Sequence, residues 1–162
     1  GNKLPTLRNC VYPIGQQLTN SSESTLAAIQ KLVLGQCYSV IKYDGCTWSF
    51  FFDSQVWLAA QAVDFPEAAS VVDQIRKKCL TCCRSRTPRS KAVVMALKNR
   101  GVGVKDVSII ANNQLVFEFE NGHSMLVRTD TVVVDWHWSF SEEDTDPYVE
   151  AIIACFHPSE KM

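Results

Sequence analysis

Apolar and polar residues alternate with a period of two in the second half of the chain. Leu115, Phe117 and Phe119 alternate with valine and glutamate, a pattern typical of a strand with one buried and one solvated face. The pairs Asn112-Asn113 and Asn121-Gly122 bracket this strand with residues that tolerate the positive φ of tight hairpins. We therefore expect one meander over 107–140, in which 124–129 pairs back antiparallel and 131–138 forms a third strand.

Apolar residues at helical spacing predict four helices. The first begins at Asn20, where Glu23 completes a capping box, and ends before Gly35. The second begins around Pro66 and runs to Cys79, and the third covers 90–100 and ends at Gly101. The fourth is expected to begin at Asp146-Pro147 and to place Tyr148, Val149, Ile152, Ile153 and Phe156 on its apolar stripe.

The first half of the chain has the same order of patterns as the second. Three strands are predicted at 37–43, 47–53 and 56–63, with Asp44-Gly45 as a hairpin turn. A shift of 67 residues places Phe50 on Phe117 and Phe52 on Phe119, and a small gap then places Val63 on Val134. The second half carries about nine extra residues, which we expect between Trp136 and Pro147.

The expected fold is therefore α+β, with antiparallel sheets and flanking helices in a single domain over 1–162. One interpretation is a repeat of two pseudo-symmetric αβββα units, in halves 20–80 and 90–157. The alternative is that any two amphipathic meanders align this well.

Length and composition favour a soluble protein of the cytoplasm. The 162 residues are 46% hydrophobic, which is enough for one core, and no apolar stretch approaches the roughly 20 residues that span a bilayer. The start of the chain has no signal-peptide layout. Seven cysteines cannot all pair with one another, so a reducing compartment is the simpler expectation.

Charge is distributed unevenly along the chain, although the formal net charge is only −1. Ten of the 16 basic residues lie between Arg76 and Lys105, and eleven of the 17 acidic residues lie from Asp106 onward. The basic stretch from Arg76 to Arg100 could bind RNA phosphates, but no aromatic residues for base stacking are interleaved with it. An RNA-binding or RNA-processing domain is therefore the alternative function.

Two candidate chemical sites are weak. Cys79 and Cys82 have the spacing of a zinc knuckle, with Cys83 following, but no second pair of ligands matches them. His137, beside Asp135, is the best candidate for a general base, yet a strand would make both residues part of a sheet wall. We therefore predict no cofactor, no metal and no enzymatic activity.

Aromatic and acidic residues lie together near the end of the second half. Aromatic anchors bordered by carboxylates are typical of surfaces that bind a basic protein. The alternative is that Asp144 and Asp146 cap a helix while the glutamates are solvated. The residues predicted to bind a partner are Trp136, Trp138, Glu142, Glu143, Asp144 and Asp146.

The chain resembles, at the level of type, bacterial immunity proteins of contact-dependent growth inhibition and related polymorphic toxin systems. The resemblance rests on the strand Leu115 to Phe119, the matching segment Trp48 to Phe52, the Val134 to Trp138 ending and the acidic run after it. It implies a non-enzymatic inhibitor that docks an acidic face on a cognate protein toxin, often a basic nuclease, and blocks its active site.

Overall fold

The computed structural model describes residues 20–68, 70, 88–133, 135–143 and 151–156. Within these ranges the chain forms two helices, nine strands and a short 3-10 turn over 111–113. The helices are α1 (Asn20–Val33) and α2 (Pro88–Lys98). The strands are β1 (Tyr38–Tyr43), β2 (Trp48–Phe52), β3 (Val56–Ala60), β4 (Val63–Asp64), β5 (Val104–Ile110), β6 (Gln114–Phe119), β7 (Ser124–Val127), β8 (Trp136–Ser141) and β9 (Ala151–Phe156).

The strands form two antiparallel sheets, which confirms the α+β class. Sheet A has the order β1-β2-β3-β8-β9, and sheet B has the order β4-β7-β6-β5. In β6 the side chains of Leu115, Phe117 and Phe119 are buried, as the alternation predicts, whereas Glu118 between them is exposed. No helix among the described residues is long and apolar enough to cross a bilayer.

One apolar core lies between the sheets and the helices. Phe52 of sheet A stacks with Phe117 of sheet B at a centroid distance of 6.4 Å. Tyr38 contacts Phe119 edge-on at 6.0 Å and donates its hydroxyl to the carbonyl of Ala96 in α2 at 2.6 Å. These contacts join both halves of the chain in a shared core.

Strands β1, β2 and β3 of the first half pair in the same register as β5, β6 and β7 of the second half. We call each set, with the strand that follows it, a unit. Phe50 pairs with Leu58 across β2 and β3, and Phe117 pairs with Met125 across β6 and β7, each displaced by 67 residues. The β1–β2 pairing has a bulge after Tyr38, and the β5–β6 pairing has one after Val104. The internal correspondence predicted from the sequence is thus present in the backbone pairing of these strands.

The fourth strand of each unit crosses to the other unit's sheet. Strand β4 pairs with β7 in sheet B, and β8 pairs with β3 in sheet A. The expected third strand of the 107–140 meander is therefore wrong in two respects, because 131–133 is not a strand and β8 lies in the other sheet. Similarly, the expected strand 56–63 is divided into β3 and β4.

The pairings made by β4 and by β8 show that the extra residues of the second half lie earlier in the chain than predicted. Val63 pairs with Val127, and Trp138 pairs with Ala60, so Val63 corresponds to Trp138 rather than to Val134. Residues 61–62 lie between these paired positions in the first half, whereas 128–137 lie between them in the second half. The extra residues therefore precede Trp138, and the segment expected after Trp136 is not the insertion.

The predicted fourth helix is wrong where the structure describes it. Residues Ala151–Phe156 form β9, which pairs antiparallel with β8. The sequence there is a short apolar run, and periodicity alone does not separate a buried strand from a buried helix at this length. Pairing with β8 decides the outcome. Most of the predicted second helix, residues 71–79, lies outside the described residues.

Candidate functional site

The described members of the predicted partner-binding set do not form one patch, because β8 separates them. Trp136 begins the strand, whereas Glu142 and Glu143 follow its last residue, Ser141. Six residues of extended chain span roughly 20 Å, so Trp136 does not border the two glutamates. Asp144 and Asp146 lie outside the described residues.

Trp138 belongs to the core. Its side chain is only 2% exposed, its indole Nε1 donates to the carbonyl of Asn113 at 2.8 Å, and its ring meets Phe140 edge-on at 5.9 Å. A partner cannot reach this residue in the folded protein. Trp136 is half-buried and stays the only accessible tryptophan of the predicted pair.

His137 is a buried residue of strand β8 in sheet A. This agrees with the alternative in the sequence analysis, in which His137 is part of a sheet rather than a general base. It is 2% exposed, and its backbone carbonyl accepts a hydrogen bond from the amide of Gln61 at 2.9 Å. This burial leaves the imidazole without access to a dissolved substrate. The geometry therefore gives no support to a general base at this position.

A different set of aromatic residues lies beside the exposed glutamates. Strand pairing places Trp57 of β3 opposite Ser141, the residue before Glu142. The ring of Trp57 contacts that of Phe51 with centroids 4.8 Å apart, and the Nζ atom of Lys42 lies 4.7 Å from its centroid. We call this surface the aromatic–acidic face; it comprises Val40, Lys42, Phe51, Trp57, Glu142 and Glu143.

The aromatic–acidic face lies on the side of sheet A away from the core. Phe50, Phe52 and Leu58 point into the core, so alternation along β2 and β3 turns Phe51 and Trp57 to the opposite side. Both rings are half-buried, and Val40 is 42% exposed. On the same side Ser49, Ala59, Ser139 and Ser141 are buried, so the accessible part is confined to Val40 and Lys42 of β1 and to the half-buried rings of Phe51 and Trp57.

The matching row of residues on sheet B is polar. By register, the row Val40, Phe51, Trp57 corresponds to the row Asp106, Glu118, Ser124. Asp106 and Glu118 are exposed. The same backbone pairing is thus made with charged and polar residues at these positions of sheet B. Much of this side of sheet A is buried, including Ser139 and Ser141, so its half-buried rings and the exposed Val40 are the part that a partner could contact.

Three acidic residues follow the ends of β2 and β8 at this end of sheet A. Asp53, Glu142 and Glu143 are exposed, and the hydroxyl of Ser141 donates to the backbone carbonyl of Glu143, which fixes the chain where it leaves the strand. The thiol of Cys37 donates to Asp53 Oδ2 at 2.8 Å. This hydrogen bond to a carboxylate, with a smaller contribution from burial, raises the pKa of Cys37.

The insertion before Trp138 forms a second accessible feature, at the other end of β8. Its base is fixed, because the hydroxyl of Thr129 donates to the carbonyl of Asn112 and Arg128 pairs with both carboxylate oxygens of Asp130 at 2.8 and 2.9 Å. The ion pair with Arg128 lowers the pKa of Asp130. Val132 is fully exposed on this loop, but a single exposed valine is common on protein surfaces.

Sequence reasoning missed Val40, Lys42, Phe51 and Trp57. It named Glu142 and Glu143, which are exposed, but joined them to the aromatic residues nearest in sequence. A signal was present in the internal repeat, since Phe51 and Trp57 align with Glu118 and Ser124. An aromatic residue at a position where its counterpart is charged indicates a surface residue with a role beyond the core.

The described residues contain no group of three or more His, Cys, Asp or Glu side chains that could hold a metal ion. Cys37, Cys46 and Cys155 are free thiols, and burial raises the pKa of Cys155 to about 12. The cysteines of the zinc-knuckle motif and the basic residues from Arg76 to Arg86 lie outside the described ranges. Of the remaining basic stretch, Lys98 and Arg100 are exposed.

No protein-family model, curated protein or solved structure matches the chain. The accessible side chains are therefore the basis for a functional assignment.

Proposed function

We propose that this protein is a non-enzymatic inhibitor of the immunity-protein type, which binds and neutralises a cognate protein toxin through the aromatic–acidic face. One observation carries the proposal. The two sheets share a register, yet the accessible end of sheet A presents Phe51 and Trp57 where sheet B presents Glu118 and Ser124. Aromatic side chains at accessible positions are the usual anchors of protein interfaces.

The chemistry of the face favours a basic partner. Among the described residues, Asp53, Glu142 and Glu143 outnumber Lys42 at this end of sheet A, and this excess of acidic residues favours a basic partner. Negative charge accelerates the approach of a basic protein, and desolvated aromatic contacts slow its release. A nuclease toxin has the basic surface that its own substrate requires, and we propose such a toxin as the partner.

The proposed site of action is the cytoplasm, where an immunity protein meets an incoming toxin. The three free thiols among the described cysteines support a reducing compartment. Binding through the aromatic–acidic face needs neither a metal nor a cofactor. Trp136, half-buried at the far end of β8, is outside the proposed contact surface.

The test measures binding to the protein encoded beside this chain's gene, by biolayer interferometry at several salt concentrations. The double variant Glu142→Lys/Glu143→Lys should lower the association rate by about tenfold at low salt and flatten its salt dependence. The variant Trp57→Ser should instead raise the dissociation rate, because it removes a buried anchor while leaving the charges unchanged.

A matched control is available on sheet B. Asp106→Lys/Glu118→Lys makes the same change of charge at exposed positions of the equivalent strands, and should alter the association rate much less. Equal effects from the two double variants would mean that net charge alone controls association. Unchanged kinetics in both Glu142→Lys/Glu143→Lys and Trp57→Ser would exclude the aromatic–acidic face as the binding surface.

A further inference from the structure

The ring of Trp57 already holds a cation in the free protein. Lys42 reaches across from β1, and its Nζ atom lies 4.7 Å from the centroid of the ring. Phe51 contacts the same ring at a centroid distance of 4.8 Å and an interplanar angle of 42°. Tryptophan gives the strongest cation–π interaction of the aromatic residues, and a cation within about 6 Å of the centroid is in range.

Two acidic residues follow the strand position opposite Trp57. Trp57 pairs with Ser141, and the exposed residues Glu142 and Glu143 follow directly. A tryptophan face bordered by carboxylates is suited to a planar guanidinium, which can stack on the ring while its N–H groups donate to a carboxylate. An ammonium group, in contrast, is compact and strongly hydrated, and it cannot make the bidentate contact.

From this geometry we propose that the aromatic–acidic face receives an arginine side chain of the partner protein. The guanidinium stacks on Trp57 in place of the Lys42 ammonium and pairs with Glu142 or Glu143. Lys42 is thus an internal competitor, which covers the ring until a better cation arrives. This inference rests on the proposed function, and it specifies the group on the partner that the face recognises.

Arginine fits this face better than the other candidate anchors. An apolar side chain would leave the glutamates without a partner and would lose the cation–π contact that Lys42 now makes. A lysine would only exchange one ammonium for another. When the partner's arginine takes the place of the Lys42 ammonium over the ring, both the ring and the carboxylates therefore gain an interaction.

The experiment titrates the full chain with two short peptides at low salt, acetyl-Gly-Arg-Gly-Arg-Gly-amide and its lysine counterpart. The indole N–H resonance of Trp57 in a ¹H–¹⁵N spectrum reports binding. The arginine peptide should bind several-fold more tightly than the lysine peptide. The variant Lys42→Met should tighten arginine binding by about two- to fivefold, which corresponds to removal of one exposed cation–π competitor.

Two further variants complete the test. Glu142→Gln/Glu143→Gln should weaken binding of the arginine peptide, whereas Glu118→Gln on sheet B should not. All these positions are exposed, and circular dichroism checks that each variant is folded. Equal affinity for the two peptides, or weaker arginine binding in Lys42→Met, would overturn the inference.

The same variants separate this inference from the proposed function. If the co-encoded partner binds through the aromatic–acidic face but Lys42→Met leaves its affinity unchanged or lower, the arginine anchor is rejected while the inhibitor function stands. If the partner is bound and Trp57→Ser leaves its affinity and dissociation rate unchanged, both are rejected. Tighter partner binding by Lys42→Met supports both.

Discussion

Tyr38 shows how one polar atom connects the two halves of the core. The residue is fully buried, its ring contacts Phe50 at 4.9 Å and Phe119 at 6.0 Å, and its hydroxyl donates to the Ala96 carbonyl of α2 at 2.6 Å. Burial raises the pKa of Tyr38 above its ordinary value of 10.0, because the phenolate would be desolvated.

We expect Tyr38→Phe to lower the free energy of unfolding by about 1–2 kcal/mol at neutral pH, since a buried carbonyl loses its donor. The sign of the pH dependence follows from the raised pKa. The stability from neutral Tyr38 is fully present below the unfolded pKa near 10 and is lost as the pH rises above it. The variant should therefore lose less stability than the wild type between neutral and alkaline pH, as measured by urea unfolding.

Tyr43→Phe is the control for this measurement. Its hydroxyl donates to Gly45 at 3.2 Å in a partly buried turn, so its removal should cost less than removal of the Tyr38 hydroxyl. If the two variants lost equal stability, the α2 contact would not be the stronger of the two.

At the scale of the element, hairpin turns are the best predicted parts of the chain. Asn112 and Asn113 adopt φ values of 62° and 60°, and Gly122 adopts 84°, as the Asn-Asn and Asn-Gly pairs indicated. These conformations depend on residues adjacent in sequence, so local chemistry determines them. Strand β6, between the two turns, was predictable for the same reason.

We expect Gly122→Ala to destabilise the protein by about 1 kcal/mol, because alanine in a left-handed conformation is strained. A Cβ atom at this position would meet nothing within 4 Å, so the cost comes from the backbone alone. Gly103→Ala is the control, since its φ is not positive and the added Cβ would only contact the flexible Glu120 side chain at 3.4 Å. Thermal unfolding of both variants measures the difference, and a loss in Gly103→Ala as large as in Gly122→Ala would argue against backbone strain as the cause.

Features that depend on distant pairing were not predictable in the same way. The run Ala151–Phe156 has side chains that suit either a helix or a strand, and only its pairing with β8 makes it a strand. The candidate site also depends on pairing between segments that are distant in sequence. Glu142 and Glu143 were recognised as acidic, but Trp57 is 85 residues away from Glu142 in sequence, and only the β3–β8 pairing places it opposite the adjacent Ser141.

At the scale of the whole molecule, each half completes the sheet of the other. Two pairs of backbone hydrogen bonds show the same reciprocity. Gly35 donates to Val104 while Gly101 donates to Tyr38, each at 2.9 Å. Likewise, Gln61 donates to His137 and Arg128 donates to Ala62, again at 2.9 Å. Corresponding residues thus make corresponding bonds across the interface of the halves.

This exchange makes the stability of each half depend on the other. A fragment 1–87 would keep β1, β2 and β3 but lose β8 and β9 from sheet A, and a fragment 88–162 would lose β4 from sheet B. Each fragment would also expose its part of a core in which Phe52 stacks on Phe117 and Tyr38 packs on Phe119. Neither can bury enough apolar surface to offset the conformational entropy of folding.

We therefore expect neither fragment to fold as a monomer, and a mixture of the two to form a folded one-to-one complex. Circular dichroism and dispersion of the ¹H–¹⁵N spectrum distinguish these states, and analytical ultracentrifugation gives the stoichiometry. Substituting Phe117→Ala in the second fragment should weaken the complex, because it removes the partner of Phe52 from the shared core. A folded, monomeric fragment 1–87 would instead mean that sheet A is stable without β8, and that the crossing strands add to a unit already formed.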